Sequence, residues 1–179
     1  MGNIIVVYES KYGASEQYAR ILSAELDCPA LTVKSLTPKE WSQAKTVVLC
    51  GGVYQNKIAG WQYLQKHFAK QPGQQCLLLA VGALPKSQER VEQLKQLNLK
   101  HCEGDIPVFY VQGKWDESKL HVMDRMMCSM LKKMVDKKPP EQREPWEKEF
   151  SAVFGQKHDW VQKESLLPLL SYLKESNLV

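Results

Sequence analysis

The sequence predicts an α/β fold, a doubly wound five-stranded parallel sheet with helices on both faces, and three observations lead there. Short apolar runs alternate with helical periodicities along most of the 179 residues. Residues 3–8, 46–53 and 76–83 are apolar at successive positions, the pattern of strands covered on both faces. Proline, glycine and capping residues punctuate the boundaries. Strands that alternate with helices in this way need right-handed crossovers, and the sheet they build is parallel.

Residues 3–8 (NIIVVY) form the first strand, and the turn 9–15 (ESKYGAS) follows it. A helix begins there with Ser15 as its cap, placing Tyr18, Ile21, Leu22 and Leu26 on one face and Glu16, Gln17, Arg20 and Glu25 on the other. Residues 29–34 form the second strand, and Pro38 opens a short helix behind Thr37. The third strand covers 46–53, a loop 54–60, and a helix 61–70 turns Leu64 and Phe68 inward until Gln71, Pro72 and Gly73 end it. Strand four covers 76–83, a polar helix 86–97, and strand five 106–111. Residues 112–157 break this rhythm with an amphipathic helix at 117–137, a Lys-Lys-Pro-Pro stop and a further helical turn or two. A last helix, 165–176, turns Leu166, Leu169, Leu170 and Leu173 inward. No repeat or linker divides the chain, so a single domain over 1–179 is expected, with an insertion at about 114–157.

Composition excludes several classes. Twenty-four Lys and Arg against twenty Asp and Glu leave a net charge of +4, and 44% of residues are hydrophobic, which suits an ordinary folded domain and not a disordered chain. The five cysteines include no C-x-x-C pair and the four histidines show no ligand spacing, so no disulfide framework or metal site is expected. No apolar run reaches the ~18 residues of a membrane span, and no basic leader precedes the first strand, so a cytoplasmic location is expected. The positive charge forms no aromatic-interleaved basic face, which argues against a nucleic-acid partner.

In such a sheet ligands bind beyond the carboxyl ends of the strands, which singles out loops 9–15, 53–60 and 83–87. In the first, Ser10, Gly13 and Ser15 stand at a helix N-terminus, whose free N–H groups suit a phosphate. The G-x-x-x-x-G-K-[ST] and G-x-G-x-x-G motifs of nucleotide and dinucleotide sites are missing. The stretch SKYGAS instead resembles the [ST]-x-[ST]-G-x-[ST] phosphate loop of flavodoxins, with Tyr12 where a small hydroxyl residue is often found. The resemblance implies a flavodoxin-like strand order of 2-1-3-4-5 and FMN as cofactor. Carried over by position, it implies that Ser10, Lys11, Tyr12, Gly13, Ala14 and Ser15 wrap the FMN phosphate. GGVYQNK resembles the second flavin loop and implies Gly52, Val53, Tyr54, Gln55, Asn56 and Lys57 along the isoalloxazine edge. VGAL resembles the third and implies Gly82, Ala83 and Leu84. Tyr54 and Trp115 follow strand ends that border the crevice and are the candidates to stack on the ring. Asn56 stands in a turn that often holds Gly in this family, where a peptide reorients toward reduced N5, and Asn tolerates the left-handed region next best after Gly. No residue is nominated as catalytic, because the cofactor carries the redox step.

The insertion looks most like that of menaquinone-dependent protoporphyrinogen IX dehydrogenase and its flavodoxin-domain relatives, with Asp124-Arg125-Met126 carrying the match and Asp159-Trp160 resembling the return to the sheet. Within it, Leu120, Met123, Met127, Met130, Leu131 and Met134 recur at helical spacing beside Lys119, Lys132, Lys133, Lys137 and Lys138. This stripe either packs on the domain or forms an adaptable surface for a planar or lipidic molecule, with helix 117–137 as a peripheral membrane contact. The pI ≈ 8.7 differs from the acidic surface usual in flavodoxin shuttles. Three functions stay open. One is an FMN-binding electron-transfer protein acting with a redox partner protein or a quinone. The second is a quinone-dependent dehydrogenase of protoporphyrinogen, with porphyrinogen as substrate and His121 or Asp124 toward the flavin. The third is a flavin-free binding or regulatory module.

Overall fold

The apolar runs pair as a parallel sheet in the computed structural model, which describes residues 4–69, 71–102 and 104–179. Strand β1 (Ile4–Glu9) lies between β2 (Ala30–Thr32) and β3 (Thr46–Tyr54), with Val6 opposite both Ala30 and Val48. Beyond β3 come β5 (Gln75–Gly82) and β6 (Val108–Gln112), giving the order β2-β1-β3-β5-β6. The five parallel strands therefore have the expected doubly wound order. Asn3 and Lys70, expected at a strand start and a helix end, lie outside the described residues.

Successive strand residues point to opposite faces, so a strand covered on both sides must be apolar throughout. On one face Ile5, Val7, Val47, Leu49 and Leu78 pack against α2 (Pro38–Gln43), α3 (Trp61–His67) and α4 (Gln88–Leu99) through Trp41, Trp61, Leu64 and Leu94. On the other, Ile4, Val6, Val48, Leu77 and Leu79 meet Tyr18, Ala19 and Leu22 of α1 (Ala14–Leu26) and Leu169 and Leu173 of α7 (Leu167–Glu175). Each fully buried leucine contributes roughly 1.5–3 kcal/mol. Thr37 caps α2 as expected, its hydroxyl accepting from Glu40 N while Glu40 accepts from Thr37 N at 2.8 Å.

Three expectations are corrected. The cap of α1 is Gly13 at φ 86°, a left-handed turn for which glycine carries no steric cost, and Ser15 lies inside the first helical turn. The loop 54–60 contains a hairpin, because β4 (Lys57–Ile58) folds back antiparallel on β3 around Gln55 and Asn56 at φ 50° and 60°, the left-handed pair that suits the strand twist. The single helix expected at 117–137 is two pieces. A 3₁₀ turn (Glu117–Lys119) ends at an extended Leu120, and α5 (Val122–Asp136) starts afresh after His121.

Gly113 leads from β6 into the insertion. There β7 (Lys114–Asp116) and β8 (Lys157–Asp159) pair as a separate antiparallel ladder, with α5 and α6 (Pro145–Val153) between them in the chain. Trp115, Val135, Phe150 and Val153 form its small core.

Candidate functional site

Where β1, β3 and β5 end, their loops leave a cavity of about 450 Å³, with the sheet as its floor and the insertion as its roof. The first loop contributes Ser10, Tyr12, Ala14 and Ser15, the second Gly52, Val53, Tyr54 and Gln55, and the third Gly82 and Ala83. Trp115 joins them from β7. Five expected residues stand off the wall. Lys11 turns to the insertion and Gly13 caps α1. Asn56 and Lys57 lie exposed on the hairpin, and Leu84 packs among the apolar residues of the insertion.

The first loop leaves the N-terminus of α1 without a side-chain cap. The Ser10 hydroxyl accepts only from Gly13 N, at 3.1 Å. The first-turn N–H groups of a 13-residue helix therefore open toward the cavity with the positive end of the helix dipole behind them. A β-carbon at position 113 would stand 2.8 Å from Val81 and 2.9 Å from Ala14, so the floor closes only around a glycine.

Tyr54 lies back over its own strand, and a side chain at position 52 would meet its hydroxyl at 2.6 Å. The same hydroxyl accepts from Lys11 N at 3.3 Å, and burial pushes the phenol above its ordinary pKa. Trp115 is 8% exposed and held edge-on to Phe150, with ring centres 6.0 Å apart, so it is a fixed wall of the cavity.

The insertion is tied to both loops. The Asp124 carboxylate accepts from the Lys11 ammonium and from the Tyr12 hydroxyl. Tyr12 in turn accepts from His121 N at 3.3 Å, and Gln55 Nε2 reaches Met127 Sδ at 3.5 Å. The hydrogen bond to Lys11, then that to Tyr12, holds the Asp124 carboxyl below the usual range. The bond from Asp124 raises Lys11, and burial raises Tyr12. Of the two residues nominated to face the flavin, Asp124 lines the cavity, whereas the His121 ring lies tilted beside Tyr12, with 5.6 Å between ring centres.

The outer wall was missed from sequence. It is the β7–β8 ladder, where Lys114 pairs with Asp159 at 2.9 Å and Lys157 with Asp116 at 3.4 Å, while Trp115 stands opposite His158. The repeated tripeptides Lys-Trp-Asp and Lys-His-Asp are the signal that could have found it, because antiparallel pairing sets each lysine against the other's aspartate. Trp115 Nε1 and His158 Nε2 are buried without a hydrogen-bond partner, an unmet polarity in this wall. Asn98 was missed as well. Its side chain accepts from Ile58 N and donates to the carbonyl of Asn56, both at 2.9 Å, which pins the second loop to α4.

Cys128 also lines the cavity, but burial raises its thiol, so it stays protonated and is a poor nucleophile. Among the described residues no group of acids, histidines or cysteines could hold a metal ion, and no helix is long and apolar enough to cross a membrane.

A family model described as a flavodoxin domain matches residues 5–142. No curated protein sequence matches the chain. Among solved structures, a flavodoxin from the domain Archaea is 12% identical with a TM-score of 0.46, the match covering 65% of this chain and 87% of that one. A Trp repressor binding protein from Bacillus subtilis is 12% identical with a TM-score of 0.44, over 62% and 82%. A putative flavoprotein from Bacteroides uniformis is 14% identical with a TM-score of 0.44, over 72% and 98%.

Proposed function

This chain belongs to the flavodoxin-domain family, and on that premise we propose that it is an FMN-dependent oxidoreductase that passes electrons from a reduced donor to an acceptor entering under the insertion. FMN is the family's cofactor, and the residues present fit it. The observation that carries the reading is the uncapped N-terminus of α1 opening into a 450 Å³ cavity walled by all three candidate flavin loops. Ala14 and Ser15 offer N–H groups to the phosphate and Ser10 a hydroxyl, while Tyr54, Val53 and Ala83 supply apolar wall for a flat ring. The bound flavin supplies the one- and two-electron chemistry. The protein's part is to hold the ring, exclude water with the insertion and present one edge to a partner. A redox protein or a quinone fits the acceptor role.

The test is the visible spectrum of the purified protein with identification of the flavin released on denaturation. About one FMN per chain is expected, as a single phosphate seat requires. Colourless protein that takes up no added FMN overturns the reading and leaves a flavin-free binding module.

A second reading, oxidation of protoporphyrinogen with a quinone acceptor, is favoured by one further feature. Lys119 lines the cavity beside Leu120 and forms no ion pair among the described residues, leaving a cation free for a substrate carboxylate. Flavin-loaded protein should then oxidise protoporphyrinogen when a quinone is supplied, with a raised KM in Lys119→Gln. Full flavin occupancy without this turnover leaves the electron carrier.

A further inference from the structure

The insertion turns outward a face that the rest of the fold leaves unused. Ten large hydrophobic side chains are exposed among the described residues, and six of them, Val122, Met123, Met126, Met127, Met130 and Met134, belong to α5. Such concentration on one helix separates this face from the scattered apolar residues of any protein surface. All but Met127 are between 55% and 80% exposed. At ~100° per residue, these side chains fall on one side of the helix, whereas Cys128, Leu131 and Val135 fall on the other and pack into the insertion core.

The charges around the face are one-sided. By the same count Lys133 and Lys137 fall within this arc, toward the C-terminal end of the helix, and Lys119 stands just before it; none of the three forms an ion pair among the described residues. The two acids of α5 are neutralised elsewhere. Asp124 is bound by Lys11, and Asp136 pairs with Lys132 at 2.6 Å and Arg143 at 3.6 Å. The apolar face therefore carries uncompensated positive charge.

We propose that this face of α5 docks the protein on an anionic phospholipid bilayer. A protein partner would be met by aromatic and arginine anchors around a recess. This surface is the convex flank of one helix and carries flexible thioethers, and its arginine is spent internally, Arg125 donating to the Ser118 carbonyl at 3.0 Å. Thioethers fill irregular acyl boundaries, and lysine stems reach back to headgroups. The surface is also continuous with the cavity, because Met127 belongs to both. Docking would bring the mouth of the site to the lipid. The inference stands on the exposed face alone, so it survives or fails independently of the flavin.

The full-length protein is to be sedimented with phosphatidylcholine vesicles with and without phosphatidylglycerol. Binding is expected to the anionic vesicles, about tenfold stronger than to neutral ones and weakened by salt, as lysine-mediated attraction requires. Met126→Ser with Met130→Ser should weaken it by a further ~tenfold at unchanged Tm. Lys133→Gln and Lys137→Gln should each weaken it by about fivefold. No binding to anionic vesicles, or binding indifferent to the methionine pair, overturns the proposal. So does a stable self-association that the methionine pair abolishes, which would make the face an interface between two copies. Flavin absorbance of the same variants is read separately.

Discussion

The sheet buries its apolar side chains on both faces, whereas the insertion buries a few and turns more of them outward. Leu78, Leu79 and Val48 are fully enclosed between two helical layers. The insertion has a core of four buried residues and is tied down at its edges by Lys114–Asp159, Lys157–Asp116 and the bonds from Lys11 and Tyr12 to Asp124. Exposed pairs of this kind contribute little each, so the insertion should open at a lower cost than the sheet. On the proposed function, the rigid half would hold a phosphate and a planar ring, and the looser half would decide what reaches them.

The sharpest way to break this comparison is to cut both cores alike. Leu78→Ala should destabilise by about 3 kcal/mol and Phe150→Ala by a similar amount. The consequences should differ. Leu78→Ala should lower a single transition that carries flavin absorbance with it. Phe150→Ala should leave β1, β3 and β5 protected in amide hydrogen exchange while β7, β8 and α5 lose protection. Uniform loss of protection in both variants would show that the insertion and the sheet unfold as one unit.

A smaller effect is expected where the halves meet. Asp124 grips Lys11 and Tyr12 from the first turn of α5, so Asp124→Asn should release FMN roughly tenfold faster, equivalent to about 1.4 kcal/mol. The direction of the pH dependence follows from the same bonds. Asp124 is held below the ordinary carboxylate range, so its contribution is complete above the unfolded carboxyl value and is lost as pH falls through the depressed folded one. Release should therefore be slow and flat near neutrality and quicken in acid. The Asn variant should show no such acid limb from this site, and equal release rates in the two proteins at neutral pH would remove the latch.

Much of this contrast was legible in the residues. The strands announced themselves because a strand buried on both sides must be apolar at every position, as in TVVLCGG. The first loop stands out as a candidate phosphate seat because the order of Ser10, Gly13 and Ser15 after a strand is local. Its cap was misassigned because a side-chain oxygen at Ser15 and a left-handed glycine at Gly13 can each start a helix, and the choice between them depends on backbone geometry. Periodicity showed that the methionines share a helix, yet it cannot show which side the domain covers. The stripe drawn from Leu120 to Met134 mixed inward Leu131 with outward Met130. The β7–β8 wall joins residues more than forty positions apart, so only setting the two distant Lys-x-Asp tripeptides against each other, and no pattern within either one, reports the pairing.

The smallest expected effect lies in the second loop, and it sharpens the division of labour inside the rigid half. Residue type alone would make Asn56 the determinant of how readily the hairpin peptide turns, with Asn56→Gly easing it. The geometry moves the control to Asn98, whose amide holds the Asn56 carbonyl and the Ile58 N–H at once. Asn56 already occupies the left-handed region, at φ 60°, so Gly there relieves only ~1 kcal/mol or less. Asn98→Ala frees two backbone groups together and should shift the flavin midpoint potential more than Asn56→Gly does, in a redox titration of both variants. If Asn56→Gly moves it more, backbone strain at the turn outweighs the anchor from α4, and the second loop tunes the flavin by itself.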